Sequence, residues 1–159
     1  MSLNAADVMT RNVVTVRPED TVARIAKLLS DHGISAVPVC DAEGHVLGMV
    51  SEGDLMRPFG QENALKRAWW LDVLAEGTEL APAFIDYLRL DKRRARDLMV
   101  APAVTAPQDT TVPAIADMLA RHHIKRVPIT QDGKLVGIVS RADVVKALAA
   151  HPDAFAGSA

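Results

Sequence analysis

The sequence contains little that would assign the protein to a secreted, membrane-spanning or disulfide-bonded class. Its 159 residues include one cysteine, Cys40, which lies in an apolar stretch and has no second cysteine in the chain to pair with. A lone thiol of this kind is typical of a reducing compartment. No apolar run approaches the ~18 residues of a membrane-spanning helix, and no charged-then-apolar signal sequence opens the chain. We therefore expect a cytoplasmic protein with no membrane partner.

Sequence signatures of catalysis and of nucleic-acid binding are also missing. The net charge of −2 provides no general attraction to nucleic acid or to an anionic membrane. The basic run at Lys92-Arg93-Arg94 has no interleaved aromatic residues, and its default interpretation is a solvated face. The chain has no Gly-x-Ser-x-Gly elbow, no P-loop and no dinucleotide glycine fingerprint. We expect a protein that is not an enzyme and that does not bind nucleic acid.

What the sequence does contain is the same pattern twice. Asp7-Val8-Met9 recurs as Asp97-Leu98-Met99, 90 positions later. After a one-residue deletion in the second copy the spacing becomes 89, so that Gly48-Met49-Val50-Ser51 recurs as Gly137-Ile138-Val139-Ser140. Each copy spans only about fifty residues, which is marginal for burying a stable core alone. We therefore expect two duplicated units that pack together and share a binding site at or near their joint.

Both copies have the hydrophobic spacing of a strand, a helix, two strands and a second helix. In the first copy a β-rich run at Val13–Val16 precedes a helix whose apolar residues recur at i, i+3, i+4 and i+7. Two strands joined by a hairpin turn follow, and each copy ends in a helix that begins at a serine, Ser51 or Ser140. We predict an α+β fold, an α/β sandwich of two βαββα repeats at residues 5–57 and 95–149.

The segment between the copies, residues 58–94, does not take part in the repeat. It contains both tryptophans, Trp69 and Trp70, and its apolar spacing predicts a helical hairpin inserted between the repeats. The tryptophans are either core or interface residues, or a lid that stacks on a bound base. The tail at residues 150–159 is rich in small residues, and we expect it to be flexible.

The sharpest local motif is a serine at the junction of a strand and a helix, with an aspartate three residues later. It occurs as Ser51 with Asp54 and as Ser140 with Asp143. One interpretation is a capping box, in which each side chain bonds the other residue's backbone N–H. The other is a ligand site, because a helix N-terminus suits phosphate and a carboxylate there can accept two hydrogen bonds from a ribose diol. The recurrence of the motif in both copies favours the ligand site.

These motifs together carry a family resemblance. Asp-x-Met, then Val-Thr, a Val-Pro-Val or Val-Pro-Ile strand and Gly-x-Val-Ser-x-x-Asp, in this order and twice, resemble the cystathionine-β-synthase (CBS) domain, and the pair resembles a Bateman module. The resemblance implies pseudo-two-fold packing of the copies, with adenosine-containing ligands in two clefts between them: AMP, ADP, ATP, or sometimes S-adenosylmethionine or NAD. It also implies homodimers, and a nucleotide that acts as a regulatory ligand rather than as an obligatory cofactor.

The resemblance assigns ligand contacts by position. Asp54 and Asp143 would hold ribose hydroxyls, and Ser51 and Ser140 would contact ribose or phosphate. The other implied contacts, to base, sugar or phosphate, fall on Thr15, Ile34, Ser35, Val37 and Pro38 in the first copy and on Thr105, Ile124, Lys125, Arg126, Val127, Pro128 and Arg141 in the second.

The two copies differ in charge at the implied phosphate positions. The second copy has Lys125 and Arg126 before its Val-Pro strand and Arg141 after its serine, whereas the first copy has uncharged residues before the strand and Glu52 after the serine. Bonds from arginine or lysine to phosphate are among the stronger hydrogen bonds, and a glutamate would repel the same group. We rank the second-copy site as the principal phosphate site. The first-copy site is then weak, empty or suited to a less anionic ligand, unless Lys125 and Arg126 serve both sites.

Three functions follow, from different classes. The leading hypothesis is a regulatory adenine-nucleotide sensor that acts through a ligand-dependent conformational change on a downstream partner. The second is a ligand-free dimerisation scaffold whose Ser-x-x-Asp motifs are helix caps only. The third, by analogy with CBS modules on magnesium channels, is a divalent-metal sensor. The sequence does not choose among adenine ligands or identify the partner.

Overall fold

Helices and short strands alternate in the same order in both copies. The computed structural model describes residues 2–56 and 92–155. The elements of the first copy are α1 (Ala5–Val8), α2 (Val22–His32), β1 (Ala36–Cys40), β2 (Val46–Ser51) and α3 (Glu52–Met56). Those of the second copy are α4 (Ala95–Leu98), β3 (Ala106–Pro107), α5 (Val112–Arg121), β4 (Arg126–Gln131), β5 (Lys134–Ser140) and α6 (Arg141–Ala150), followed by a 3₁₀ turn at Pro152–Ala154. The predicted α+β fold is confirmed; the predicted helical hairpin falls almost wholly outside the described residues.

The long helices α2 and α5 form because the same sequence signals recur in each. Both begin after a threonine whose hydroxyl accepts the N–H three residues later, 3.2 Å from Arg24 in the first copy and 3.3 Å from Ala114 in the second. Each helix buries one apolar stripe against its own sheet. The stripe residues are Val22, Ile25 and Leu29 in α2 and Val112, Ile115 and Leu119 in α5.

The strands form two small sheets. β4 pairs in parallel with β3 and antiparallel with β5, and β1 pairs with β2. The strand predicted at Val13–Val16 is shorter than expected, because in the first copy only Val16 bridges β1, at Val39. The corresponding β3 is two residues long and ends at Pro107, which has no N–H to continue the ladder.

The contacts divide the chain into two compact units that do not coincide with the two sequence copies. Among the described residues, the first-copy unit comprises 14–39, 48–56 and 92–101, and the second-copy unit comprises 2–13, 40–47 and 102–155. Each Asp-x-Met motif therefore packs with the other copy. The N–H of Ala5 donates to the carbonyl of Thr110 at 2.8 Å, and the N–H of Ala95 donates to the equivalent carbonyl of Asp20 at 2.9 Å.

A glycine in the last strand of each copy accommodates this exchange. In the first-copy unit, Met49 and Val100 bond each other's backbones at 3.1 and 2.9 Å, and a Cβ built on Gly48 would lie 2.7 Å from the carbonyl oxygen of Val100. In the second-copy unit the side chain of Met9 covers Gly137 so closely that a Cβ there would overlap it. Both positions therefore require glycine for close approach rather than for an unusual φ.

Candidate functional site

The Ser-x-x-Asp motif forms a closed hydrogen-bonded box in both copies. In the second copy the Ser140 N–H and Oγ–H donate to Asp143 Oδ2 at 2.8 and 3.0 Å, and the Asp143 N–H donates to Ser140 Oγ at 3.2 Å. In the first copy the equivalent bonds of Ser51 and Asp54 are 2.8, 3.1 and 3.3 Å. The capping-box interpretation is therefore correct for both motifs. In the second copy the cap does not exclude a ligand, because both bonds that Ser140 donates to Asp143 end on the same oxygen, Oδ2.

The two aspartates differ in how much of the side chain is exposed to solvent. Asp54 is 6% exposed, whereas Asp143 is only partly buried. Among the residues that the structure describes, no hydrogen bond reaches Oδ1 of Asp143. The second copy thus presents the more accessible carboxylate oxygen at the start of a ten-residue helix.

A backbone hydrogen bond brings the residue before each Val-Pro strand next to the start of the following helix. The N–H of Arg141 donates to the carbonyl of Lys125 at 2.9 Å, and Arg126 pairs with Ser140 across β4 and β5. Lys125 and Arg141 are exposed and Arg126 is partly buried. Four of the residues that the resemblance assigned to ligand binding in the second copy are therefore neighbours through their backbones.

The same backbone link in the first copy joins residues of different charge. The N–H of Glu52 donates to the carbonyl of Ser35 at 2.9 Å. Here the two linked residues provide one exposed carboxylate and no cation. The difference in charge that the sequence predicted is thus located at equivalent places in the two units.

The side chains of the two Val-Pro pairs are buried and are not available for apolar contact with a ligand. Val37 and Val127 are fully buried in the cores of their units, and Pro38 and Pro128 are buried with them. Only backbone groups at these four positions could reach a ligand, and the carbonyl of Pro38 already accepts the N–H of Val16 at 3.0 Å.

The isoleucines and threonines that the resemblance assigned to ligand binding lie just before strands or strand bridges. Ile34 and Ile124 are partly buried, and their N–H groups bond the ends of α2 and α5 at 3.0 and 3.1 Å. Thr105 precedes β3, and the sheet order places β4 between it and Ser140. Two strand spacings separate the flanking strands, about 10 Å. Thr15, which precedes the bridge of Val16 to β1, is exposed.

In the described part of the chain, no helix combines the length and the apolar character needed to cross a bilayer.

Comparisons with known proteins agree with the duplicated pattern and with the fold. The CBS domain profile matches residues 5–59 and again residues 95–150. A crystal structure of the CBS domain of a CBS-domain-containing membrane protein from Sphaerobacter thermophilus is 36% identical, with a TM-score of 0.68 over 91% of this chain and 87% of that one.

Two ligand complexes have the same fold at lower identity. CBSX2 in complex with AMP is 24% identical, with a TM-score of 0.70 over 94% of this chain and 98% of that one. The CBS domain pair of protein MJ0100, in complex with 5′-methylthioadenosine and S-adenosylmethionine, is 19% identical, with the same TM-score and coverage. Because the two profile matches cover most of the sequence, the chain belongs to the CBS-domain family and carries the domain as a tandem pair.

Proposed function

We propose that this CBS pair is a regulatory module that binds an adenine nucleotide, with its principal phosphate site in the second-copy unit. The observation that carries the proposal is the group at the start of α6. There Asp143 keeps one carboxylate oxygen outside its cap, and the exposed cations Lys125 and Arg141 are held together by a backbone bond. A carboxylate suits a ribose diol, and neighbouring cations at a helix N-terminus suit a phosphate.

The first-copy unit supports a different ligand or none. Asp54 is almost fully buried and Glu52 is exposed beside Ser35, so the equivalent place offers little carboxylate surface and a negative charge. A nucleotide phosphate would be repelled there. We infer that this position is empty, or takes a less anionic ligand such as a nucleoside.

The choice of adenosine rests on the relatives rather than on the geometry of a base pocket. CBSX2 and MJ0100 are solved with ligands that share the adenosine moiety and differ in what the 5′ carbon carries. The cationic second-copy group favours a ligand with a 5′ phosphate in this chain. We therefore put AMP, ADP and ATP ahead of S-adenosylmethionine.

Regulation requires that the nucleotide prefer one conformation of the module. A ligand shifts a conformational equilibrium only by the difference in its affinity for the two states. A downstream partner would bind one of the two conformations in preference to the other. A homodimer would offer that partner two such modules. The exposed apolar side chains of Val145 and Leu148, which lie three residues apart on α6, support an association through this helix. A cytoplasmic location and the absence of catalysis are parts of the same proposal.

Calorimetric titration tests the proposal. The wild-type chain is titrated with AMP, ADP, ATP, S-adenosylmethionine and adenosine, and we expect saturable binding of at least one nucleotide. Arg141→Ala should weaken AMP binding about tenfold, because a hydrogen bond to a charged group contributes about 1.5–3 kcal/mol. The matched control is Glu52→Ala, which truncates the equivalent residue of the first copy and should not weaken AMP binding. If no ligand releases heat or raises the melting temperature, the nucleotide proposal is wrong.

A ligand-free scaffold is the second candidate, because the capping boxes give both Ser-x-x-Asp motifs a purely structural role. This alternative predicts indifference to every ligand in the titration. It also predicts a dimer that survives Asp54→Ala and Asp143→Ala, which sedimentation would show.

A further inference from the structure

The turn between β1 and β2 holds three potential metal ligands in a fixed arrangement. It runs from Asp41 to His45 and closes through the N–H of Asp41, which donates to the carbonyl of His45 at 3.0 Å. Oδ1 of Asp41 accepts the N–H groups of Glu43 and His45 at 3.0 and 2.8 Å. These two bonds fix the carboxylate and leave Oδ2 facing the imidazole of His45.

Two donor atoms of this turn lie close to the separation that a single ion requires, and a third lies near them. Oδ2 of Asp41 and Nδ1 of His45 are 3.1 Å apart, and one donor atom from each of Asp41, Glu43 and His45 lies within 4.8 Å of the others. Ligand atoms at 2.0–2.2 Å from a tetrahedral zinc ion are separated by about 3.3–3.6 Å. The Asp41 and His45 side chains are 31% and 43% exposed, so an ion can enter from solvent.

The imidazole is positioned by the second hairpin. A Cβ built on Gly133 would lie 3.3 Å from Cδ2 of His45, so the ring packs against that glycine. His45 bridges Lys134, which places one ammonium group on the neighbouring strand. The two carboxylates of Asp41 and Glu43 outnumber this one cation.

We propose that this turn binds one divalent transition-metal ion of the zinc type through Asp41, Glu43 and His45, with water at the remaining position. The set of one imidazole and two carboxylates suits zinc, cobalt or nickel and disfavours magnesium and calcium, which select oxygen ligands alone. The equivalent turn of the second copy is one residue shorter, has Gln131 and Lys134 at the positions of Asp41 and His45, and keeps a single carboxylate, that of Asp132. The site is therefore specific to the first hairpin and goes beyond the nucleotide proposal.

Zinc and cobalt titrations of the chelator-treated full chain test this site. We expect one Zn²⁺ per chain by calorimetry, Co²⁺ absorption of a site with nitrogen and oxygen ligands, and no comparable binding of Mg²⁺. His45→Gln and Glu43→Gln should each weaken Zn²⁺ binding at least about tenfold. His45→Gln removes the imidazole bond to Asp41 but keeps the two backbone bonds through which residue 45 closes the turn.

The matched control uses His122 and His123, two neighbouring histidines that lie outside this turn. A His122→Gln/His123→Gln variant should bind Zn²⁺ as the wild type does. Binding that survives His45→Gln, or that is lost with His122 and His123, would overturn the site, and so would an absence of Zn²⁺ binding to the wild-type chain. Nucleotide titrations of His45→Gln should be unaffected, so that failure of one proposal is separable from failure of the other.

Discussion

Asp143→Ala is expected to weaken binding of AMP, and of adenosine wherever it binds at this position, by at least about a hundredfold. The mutation removes the carboxylate that we assign to the ribose diol, and two hydrogen bonds to a charged group together contribute at least about 3 kcal/mol. Because both ligands carry the ribose, the loss should not depend on phosphate. Arg141→Ala differs in this respect, since it should spare adenosine. Parallel titrations of the two variants with AMP and adenosine measure the difference.

The control for Asp143→Ala must be a variant that removes a similar helix-capping aspartate away from the proposed nucleotide site. Asp7 provides it in the same unit, because its Oδ2 accepts the N–H of Asn4 at 2.9 Å at the start of α1. Both alanine variants should lose about 1 kcal/mol of stability through the missing cap. Only Asp143→Ala should lose nucleotide affinity. Equal affinity in the two variants would assign Asp143 to capping alone.

Gly48→Ala is expected to destabilise the fold by about 3 kcal/mol, with a fall in melting temperature of roughly 10 °C. The added Cβ would meet the carbonyl oxygen of Val100, which is held in a backbone pair with Met49 and cannot rotate away. Gly137→Ala should cost less, about 1 kcal/mol, because there the obstruction is the flexible side chain of Met9. Urea denaturation of both variants measures the two losses.

A second substitution in each unit separates the two causes. Met9→Ala removes the two nearest obstructing atoms, Sδ and Cγ, and leaves the Cβ at 3.0 Å, so Gly137→Ala should cost less in that background than in the wild type. Met99→Ala should not rescue Gly48→Ala, because the carbonyl of Val100 remains. A full rescue by Met99→Ala, or equal costs for the two glycine variants, would contradict the close backbone approach at Gly48.

The parts of the fold that the sequence predicted are those specified by local spacing. The apolar stripe of α2 and the cap at Ser140 each depend on residues within a few positions of one another, and both are present in the structure. The strand at Val13–Val16 was predicted too long, because β-branched residues mark an extended chain whether or not a partner strand lies beside it. The four-residue helices α1 and α4 are too short for a helical period to register.

The exchange of the Asp-x-Met segments was not predictable from local spacing. Because the sequence repeats, both copies offer equivalent docking positions, and nothing near Met9 indicates that it packs with Gly137 rather than with Gly48. Burial of Asp54 is likewise a tertiary effect, since the same Ser-x-x-Asp motif also contains the more accessible Asp143. The sequence thus predicts the difference in charge between the two candidate sites but not the difference in burial of their aspartates.

The sequence predicts only a hairpin connection at the turn that begins with Asp41. Its ligand set has a simple signal, three metal-binding residue types at alternate positions. Such a signal becomes meaningful only when the turn folds the side chains onto one side, as the 3.1 Å separation of Asp41 and His45 shows.

A crystal structure of the chain grown with AMP tests the central claim most directly. The account predicts density for the nucleotide at the start of α6, with ribose hydroxyls within hydrogen-bonding distance of Oδ1 of Asp143 and the phosphate beside Lys125 and Arg141. Nucleotide bound elsewhere, or no nucleotide while Asp143 bonds only to Ser140, would contradict it.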